Sequence, residues 1–160
     1  KLDIKGVDFI INLQGDSPNL NPKIIIQLDR LMRKTNSEIG TLAAKIVDVK
    51  EIIDSNIVKV KTSEPLDDNN FLRTENFFRE GKIKNISNIY HHIGLYSFAH
   101  SALHKYVNLS RSKNEKIRSL EQMRLLDNNI DINVGLASSL PLSVDMPNEL
   151  EKIRKIMEYK

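Results

Sequence analysis

The sequence has no cysteine among its 160 residues. Disulfide bonds, thiolate metal sites and a cysteine nucleophile are therefore excluded from this stretch of chain. A cysteine-free protein is compatible with a reducing compartment, and we expect a cytoplasmic location. No apolar run approaches the roughly 18 residues that a membrane-spanning helix needs, so we expect no membrane partner.

Several functional signatures are missing as well. The sequence contains no Walker-type glycine-rich loop, no G-x-G-x-x-G pattern and no serine nucleophile elbow. The net charge is +3, from 24 basic and 21 acidic residues, and the basic residues are dispersed along the chain. Surfaces that bind DNA or RNA usually cluster their positive charge, so we expect no nucleic-acid partner.

Strand-like and helix-like segments alternate, which predicts one α/β domain over residues 1–160. Residues 7–13 form a short apolar run that ends at a turn, a pattern typical of a strand buried on both faces. Asn21 and Pro22 predict the start of a helix that runs to about residue 34. Residues from about 62 to 90 show no regular pattern and are interpreted as an irregular arm. The other predicted strands are 39–47, 57–61, 91–98 and 130–136, and the other predicted helices are 99–107, 113–127 and 146–159.

Two aspartates follow strands of the predicted sheet. Asp16 comes after the first strand, and Asp145 lies at the start of the last helix. In open α/β sheets ligands bind beyond the carboxyl ends of strands, where paired carboxylates could hold Mg²⁺ on a triphosphate. The alternative remains open that Asp16 only stabilises its turn and that Asp145 only caps its helix.

Other polar residues also have two interpretations. His92 and Tyr96 share one face of a predicted strand, with Gly94 leaving room between them for a ligand. They could equally be ordinary sheet residues with satisfied hydrogen bonds. Glu121 and Gln122 lie inside the predicted helix 113–127, where neighbouring side chains diverge by about 100°. One of them could line a pocket, or both could lie on a solvated face.

Six segments, in the right order, resemble those of the 3-deoxy-manno-octulosonate (Kdo) cytidylyltransferases, also called CMP-Kdo synthetases. The family's segments read V-N-V-Q-G-D-E-P, T-L-A-x-x-I, D-P-N-x-V-K-V, R-H-L-G-I-Y-x-Y, M-L-E-Q-L-R-x-L and V-D-T-P-E-D-L-E-x-V-R. This sequence has VDFIINLQGDSPNLNP, IGTLAAKI, DSNIVKV, HHIGLYSF, SLEQMRLL and VDMPNELEKIR in their places.

The resemblance implies a Rossmann-like nucleotide-diphospho-sugar transferase fold, with a mixed sheet and flanking helices, and a homodimer. It implies an Mg²⁺-dependent transfer of CMP from CTP to Kdo, which gives CMP-Kdo and pyrophosphate for lipopolysaccharide synthesis. Carried over by motif, the metal ligands would be Asp16 and Asp145, and Gln14 would contact the sugar acid beside the metal. The Kdo pocket would be lined by His92, Tyr96, Glu121 and Gln122, and Arg73, in the place of the family's F-S-R arginine, would pair with an anionic group.

The sequence also departs from the family pattern. Ser17 replaces a Glu, His91 replaces an Arg, and Arg118 stands where a Glu is usual. The family's N-terminal G-[ST]-x-R-x-P-x-K-P loop, which grips CTP, is absent from these residues. We therefore expect the 160-residue piece alone to be inactive and the flank of its first strand to be uncovered. The alternatives are a cytidylyltransferase for another acid sugar, such as a sialate, and a non-catalytic remnant or dimerisation module.

Overall fold

In the computed structural model, which describes residues 6–80, 86–144 and 147–158, strands and helices alternate as predicted. The strands are β1 Phe9–Leu13, β2 Ile39–Lys45, β3 Lys59–Thr62, β4 Leu72–Phe78, β5 Ile89–Ala99 and β6 Asn133–Leu136. The helices are α1 Pro22–Thr35, α2 Lys50–Ile53, α3 His100–Val107, α4 Lys113–Arg118, α5 Met123–Asp127 and α6 Pro147–Glu158. None of the helices within the described residues is long and apolar enough to cross a bilayer.

The strands form one mixed sheet in the order β1-β5-β2-β6-β4-β3. β2 and β6 are parallel, whereas the other pairs in this order are antiparallel. The long strand β5 also pairs with β3, so the pairings run in a closed circuit from β5 through β2, β6, β4 and β3 back to β5. The predicted mixed α/β sheet with flanking helices is confirmed.

Helix α1 follows the predicted pattern closely. The Asn21 side chain accepts a hydrogen bond from the Lys23 backbone N–H, Pro22 occupies the first turn, and Asn36 ends the helix in the left-handed conformation. Ile24, Leu28, Leu31 and Met32 are buried on one stripe. They pack with Leu42, Phe71 and Leu95 in a single apolar cluster, so α1 covers one face of the sheet.

A second apolar cluster packs against the opposite face. Ala43 of β2 belongs to it, whereas the neighbouring Leu42 belongs to the α1 cluster, as the alternation of side chains along a strand requires. Phe77, Leu125 and Ile132 are at most 1% exposed in this second cluster. Helices α3 and α5 supply much of its outer layer.

The prediction that the first strand is buried on both faces is wrong. β1 lies at an edge of the described sheet, pairs with β5 there, and has half-buried or exposed residues throughout. Its apolar composition reflects contact with α1 and α3 on part of its surface. A run of apolar residues cannot by itself distinguish a central strand from such an edge strand.

The predicted irregular arm at about 62–90 is wrong for residues 72–78 and 89–90, which lie in strands. Leu72–Phe78 forms strand β4, which pairs with both β3 and β6. Phe77 is fully buried in the second cluster, so this strand supplies a core residue. The polar residues that alternate with Phe77 concealed this strand in the sequence. Residues 81–85 lie outside the described part of the chain.

Candidate active site

A cleft of about 1230 Å³ opens beyond the end of β1. Its walls come from the turn after β1, the loop 54–58, the middle of β5, the α4–α5 connection and the loop 140–143. Six of the residues predicted for the site line it: Gln14, Asp16, His92, Tyr96, Glu121 and Gln122. The fold thus brings residues separated by more than 100 positions to one place.

Asp16 lies half-buried in the turn after β1. Its carboxylate is 3.4 Å from the Ser17 hydroxyl, and the described residues contribute no other hydrogen bond to it. Its backbone carbonyl accepts a hydrogen bond of 2.8 Å from the Val144 N–H. The chain just before Asp145 is therefore bonded to the Asp16 turn, although Asp145 itself lies outside the described residues.

The described residues include one candidate metal ligand, the carboxylate of Asp16. Among residues 6–80, 86–144 and 147–158, no group of three His, Asp or Glu residues is arranged to hold a metal ion. Asp16 supplies one carboxylate that is largely free of protein partners, which suits a hard cation with oxygen ligands. Glu121 is a second described carboxylate that lines the same cleft.

Gln14 extends from the end of β1 across β5. The β1–β5 register pairs Leu13 with Leu95, which places the next residue, Gln14, beside Gly94. A Cβ atom at Gly94 would lie 3.1 Å from Gln14 Oε1. The Gln14 side chain therefore occupies the space that a side chain at position 94 would need, and Gly94 lines the cleft beside it.

His92 is a buried, neutral imidazole. Its Nε2 is 3.0 Å from the Thr41 hydroxyl, which lies at a β-bulge in β2 and also donates to the Leu95 carbonyl. Phe77 packs edge-on against the ring, with the centroids 5.1 Å apart. Burial, with a smaller contribution from His91, lowers the pKa of His92 to about 3. His92 can therefore offer hydrogen bonds but no charge near neutral pH.

Tyr96 has an unsatisfied hydroxyl. The residue is 8% exposed, and its ring lies 5.4 Å from that of His92. Its oxygen is buried and finds no hydrogen-bond partner within the described residues. Burial, reinforced by Tyr106 and Glu121, raises the pKa of Tyr96 well above its usual value. A neutral phenol on a cleft wall with no protein partner is a ready donor for a bound ligand.

Glu121 and Gln122 lie in a connection between two helices. The single helix predicted over 113–127 is wrong, because Ser119 adopts the left-handed conformation (φ 53°) and ends α4 there. Ser112 and Glu115 form a reciprocal capping box at the start of α4. In the short connection before α5, Glu121 is exposed and Gln122 half-buried, and both face the cleft.

The geometry of this connection depends on the carboxylate of Glu115, whose side chain is 1% exposed. It accepts hydrogen bonds from Arg124 Nε (2.8 Å) and Nη2 (2.7 Å) and from Arg111 Nε (2.9 Å). Hydrogen bonding from Arg124 is the largest cause that lowers the pKa of Glu115 to about 2. Glu115 thus ties α4 to α5 across the connection that carries Glu121 and Gln122.

Arg73 does not lie with the other predicted site residues. Its guanidinium pairs with Asp131 at 2.9 Å on the surface, with 65% of the side chain exposed, and it does not line the cleft. Arg79 lines the cleft instead, and its Nη1 donates to the carbonyls of Asn56 (2.7 Å) and Ser55 (3.2 Å). The signal was present in the sequence, since Phe77-Phe78-Arg79 fits an F-x-R segment as well as Phe71-Leu72-Arg73 does.

Comparisons with known proteins agree with this architecture. The family model described as cytidylyltransferase matches residues 1–132. The 3-deoxy-manno-octulosonate cytidylyltransferase of Bartonella henselae is 40% identical over 150 residues, which cover 94% of this chain and 61% of the relative. The enzyme of the same name from Rhizobium meliloti is 39% identical over 158 residues, which cover 98% of this chain and 62% of the relative.

A solved structure of CMP:2-keto-3-deoxy-manno-octonic acid synthetase complexed with CTP superposes with a TM-score of 0.83 at 29% identity. The match covers 96% of this chain and 63% of that structure. The chain therefore spans a little over three-fifths of the length of the proteins that it matches. Because the family model covers most of its residues, the chain belongs to the cytidylyltransferase family.

Proposed function

We propose that the protein carrying this chain transfers CMP from CTP to Kdo and releases pyrophosphate. Two relatives at about 40% identity carry the name of that enzyme, and the superposed structure is described as a complex with CTP. The observation in this chain that carries the proposal is the buried Tyr96 hydroxyl, for which the described residues supply no hydrogen-bond partner, in a cleft lined with other polar groups. Such a donor fits a hydroxyl-rich substrate.

In this reaction the anomeric hydroxyl oxygen of Kdo attacks the α-phosphorus of CTP, and the hydroxyl proton is released to water. The bond from that phosphorus to the bridging oxygen breaks, and pyrophosphate leaves with the electron pair. The Tyr96 hydroxyl and the amides of Gln14 and Gln122 would hydrogen-bond the sugar, and the Glu121 carboxylate would accept from its hydroxyls. Each contact orients the attacking oxygen, which is the main contribution that a protein makes to phosphoryl transfer.

Arg79 is the proposed partner of the sugar carboxylate. Its Nη1 is occupied by the loop carbonyls, whereas Nε and Nη2 make no hydrogen bond within the described residues. A guanidinium edge with two parallel donors matches a carboxylate. His92, which is neutral, would contribute hydrogen bonding and packing rather than charge.

Mg²⁺ is the proposed cofactor, held by Asp16 together with Asp145. The nearly unpartnered carboxylate of Asp16 and the bond from the Val144 N–H to the Asp16 carbonyl support this pairing. A bound Mg²⁺ would neutralise negative charge on the triphosphate. Asp16→Asn is expected to lower kcat and to raise the Mg²⁺ concentration needed for half-maximal rate.

The test uses the protein as its gene encodes it, with CTP, MgCl₂ and Kdo. Pyrophosphate release should depend on CTP and Kdo together, with N-acetylneuraminate replacing Kdo poorly. Equal or faster transfer to the sialate would show that Kdo is not the preferred substrate. The absence of CTP-dependent pyrophosphate release with either sugar would overturn the proposed activity. The Asp16→Asn protein is the control for contaminating activity.

We further propose a cytoplasmic homodimer that acts in lipopolysaccharide synthesis. The family resemblance supports the dimer, and the requirement for CTP supports the cytoplasmic location. Sedimentation velocity over a range of concentrations measures the subunit number, and a monomer at all concentrations would contradict the dimer.

A further inference from the structure

Lys59 of β3 is a fully buried lysine, and within the described residues no carboxylate forms an ion pair with its ammonium group. Its residue exposure is 0%. Nζ donates to three backbone carbonyls, those of Asp54, Ile57 (3.0 Å) and Arg79 (2.6 Å). Burial of a charge is costly unless every donor finds an acceptor, and three carbonyls match the three ammonium donors. The interaction is thus saturated and directional.

Arg79 completes the same arrangement from the other side. Its Nη1 donates to the carbonyls of Ser55 and Asn56. The four consecutive carbonyls of residues 54–57 are therefore all held by two cationic side chains, and Lys59 in addition holds the main chain of Arg79. Lys59 thus bonds both the loop and the main chain just after β4, while the Arg79 side chain bonds the loop directly.

This arrangement forms one wall of the cleft. Residues 54–58 and Arg79 all line it, whereas Lys59 does not. The loop is also bonded to β5, because the Val58 carbonyl accepts a hydrogen bond of 2.9 Å from the His92 N–H. A shift of the loop or of the Arg79 main chain would thus move groups that face the substrate.

We propose that Lys59 is a positioning residue that holds the Arg79 main chain and the loop 54–57 so that the free edge of the Arg79 guanidinium meets the carboxylate of the acid sugar. The inference rests on the proposed function. Lys59 does not touch the substrate and acts through Arg79. Its loss therefore affects the binding of the sugar acid rather than that of the nucleotide.

The experiment measures Michaelis constants for both substrates in the natural protein and in Lys59→Met. We expect the KM for Kdo to rise about tenfold or more, since a displacement on the order of 1 Å at a binding group has large effects. The KM for CTP should change by less than about twofold, because a loss of sugar binding raises the KM for Kdo alone. Lys61→Met is the matched control, since Lys61 lies on the same strand and pairs at the surface with Glu75 at 2.7 Å.

A double-mutant cycle with Arg79→Met separates positioning from general support. If Lys59 acts through Arg79, Lys59→Met should add little to the KM for Kdo once Arg79 is removed. Additive effects, or equal increases in both Michaelis constants, would overturn the proposal. Thermal unfolding is measured in parallel, because a purely structural role would lower Tm without changing the ratio of the two constants.

Two further measurements cover a poorly folding Lys59→Met. Lys59→Gln retains two N–H donors, and its KM for Kdo should lie between those of the natural protein and Lys59→Met; a value equal to that of the natural protein counts against the proposal. Hydrogen exchange at residues 55–58 should be faster in either variant than in Lys61→Met, and unchanged exchange would contradict the positioning role even if Kdo proved not to be the substrate.

Discussion

At the scale of single residues, His92 illustrates how burial decides the chemistry of a group. Its imidazole lies among Thr41, Phe77 and Tyr96, where a proton would be poorly solvated. Burial lowers its pKa from 6.5 to about 3. The unfolded chain therefore binds a proton between these two values that the folded chain does not, and folding stability must fall as the pH drops through this window.

We expect the free energy of unfolding to fall by roughly 1.4 kcal/mol per pH unit below about pH 6 because of His92. His92→Phe, which keeps an aromatic ring next to Phe77, should remove this slope between pH 6.5 and 5. The contribution of Glu115 to folding stability is lost only below about pH 4.5, since its pKa is lowered from 4.5 to about 2, so it does not affect this window. Urea unfolding of both proteins at several pH values is the measurement, and identical slopes would show that His92 is not the titrating group.

Two glycines of the sheet separate function from stability. A Cβ at Gly94 would meet the flexible end of Gln14 at 3.1 Å, whereas a Cβ at Gly40 would collide with the buried Phe71 ring and with Met32 Sδ. Gly94→Ala should therefore leave stability nearly unchanged and raise the KM for the sugar by displacing Gln14. Gly40→Ala should cost about 1–3 kcal/mol through overpacking. Urea unfolding and steady-state kinetics of both variants test this contrast. It is contradicted if Gly94→Ala unfolds at a lower urea concentration than Gly40→Ala, or if its KM for the sugar equals that of the natural protein.

At the scale of elements, the α4–α5 pair depends on a buried carboxylate. Removal of Glu115 would leave Arg124, whose side chain is 14% exposed, without its partner. We expect Glu115→Ala to lower the free energy of unfolding by about 3–5 kcal/mol, as is typical when one member of a buried ion pair is lost. Activity should also fall in the fraction that remains folded, because Glu121 and Gln122 lie between α4 and α5.

The matched control for this prediction is Asp29→Ala. Asp29 also pairs with an arginine four residues away, Arg33 at 3.0 Å, but both side chains are exposed on α1. Exposed pairs contribute about 0–1 kcal/mol, so this variant should unfold near the midpoint of the natural protein. Similar losses in the two variants would mean that burial of Glu115 is not what makes its pair important.

At the scale of the whole molecule, β1 is the exposed side of the sheet. β5, β2, β6, β4 and β3 close a circuit of pairings, whereas β1 is attached through β5 among the described strands. An edge strand presents alternate unpaired N–H groups that can recruit another strand. We expect a chain of these 160 residues to exchange half of the β1 amides rapidly and to associate as its concentration rises.

Hydrogen exchange and light scattering measure these two properties. Ile11→Lys, which places a charge on the half-buried β1, should reduce the association. Slow exchange of every β1 amide in dilute solution, or association unchanged by the lysine, would show that the chains do not associate through β1.

The local pattern of the sequence was sufficient wherever one element could be recognised from its own residues. Asn21 and Pro22 predicted the start of a capped helix, and both features are present. β5 was likewise recognisable, and with it the shared face of His92 and Tyr96. The family resemblance, rather than any local pattern, grouped Gln14, Asp16, Glu121 and Gln122 in one site, and all four line the cleft.

The tertiary structure decided which neighbour each element has. β1 is an edge strand of the sheet that the described residues form, β4 occupies part of the predicted arm, and Ser119 interrupts an apparently continuous helix. In the same way Arg79 reaches the cleft and Arg73 does not. The physical reason is that periodicity and capping depend on residues within a few positions, whereas burial, strand order and the partners of a charge depend on contacts between residues that are far apart along the chain.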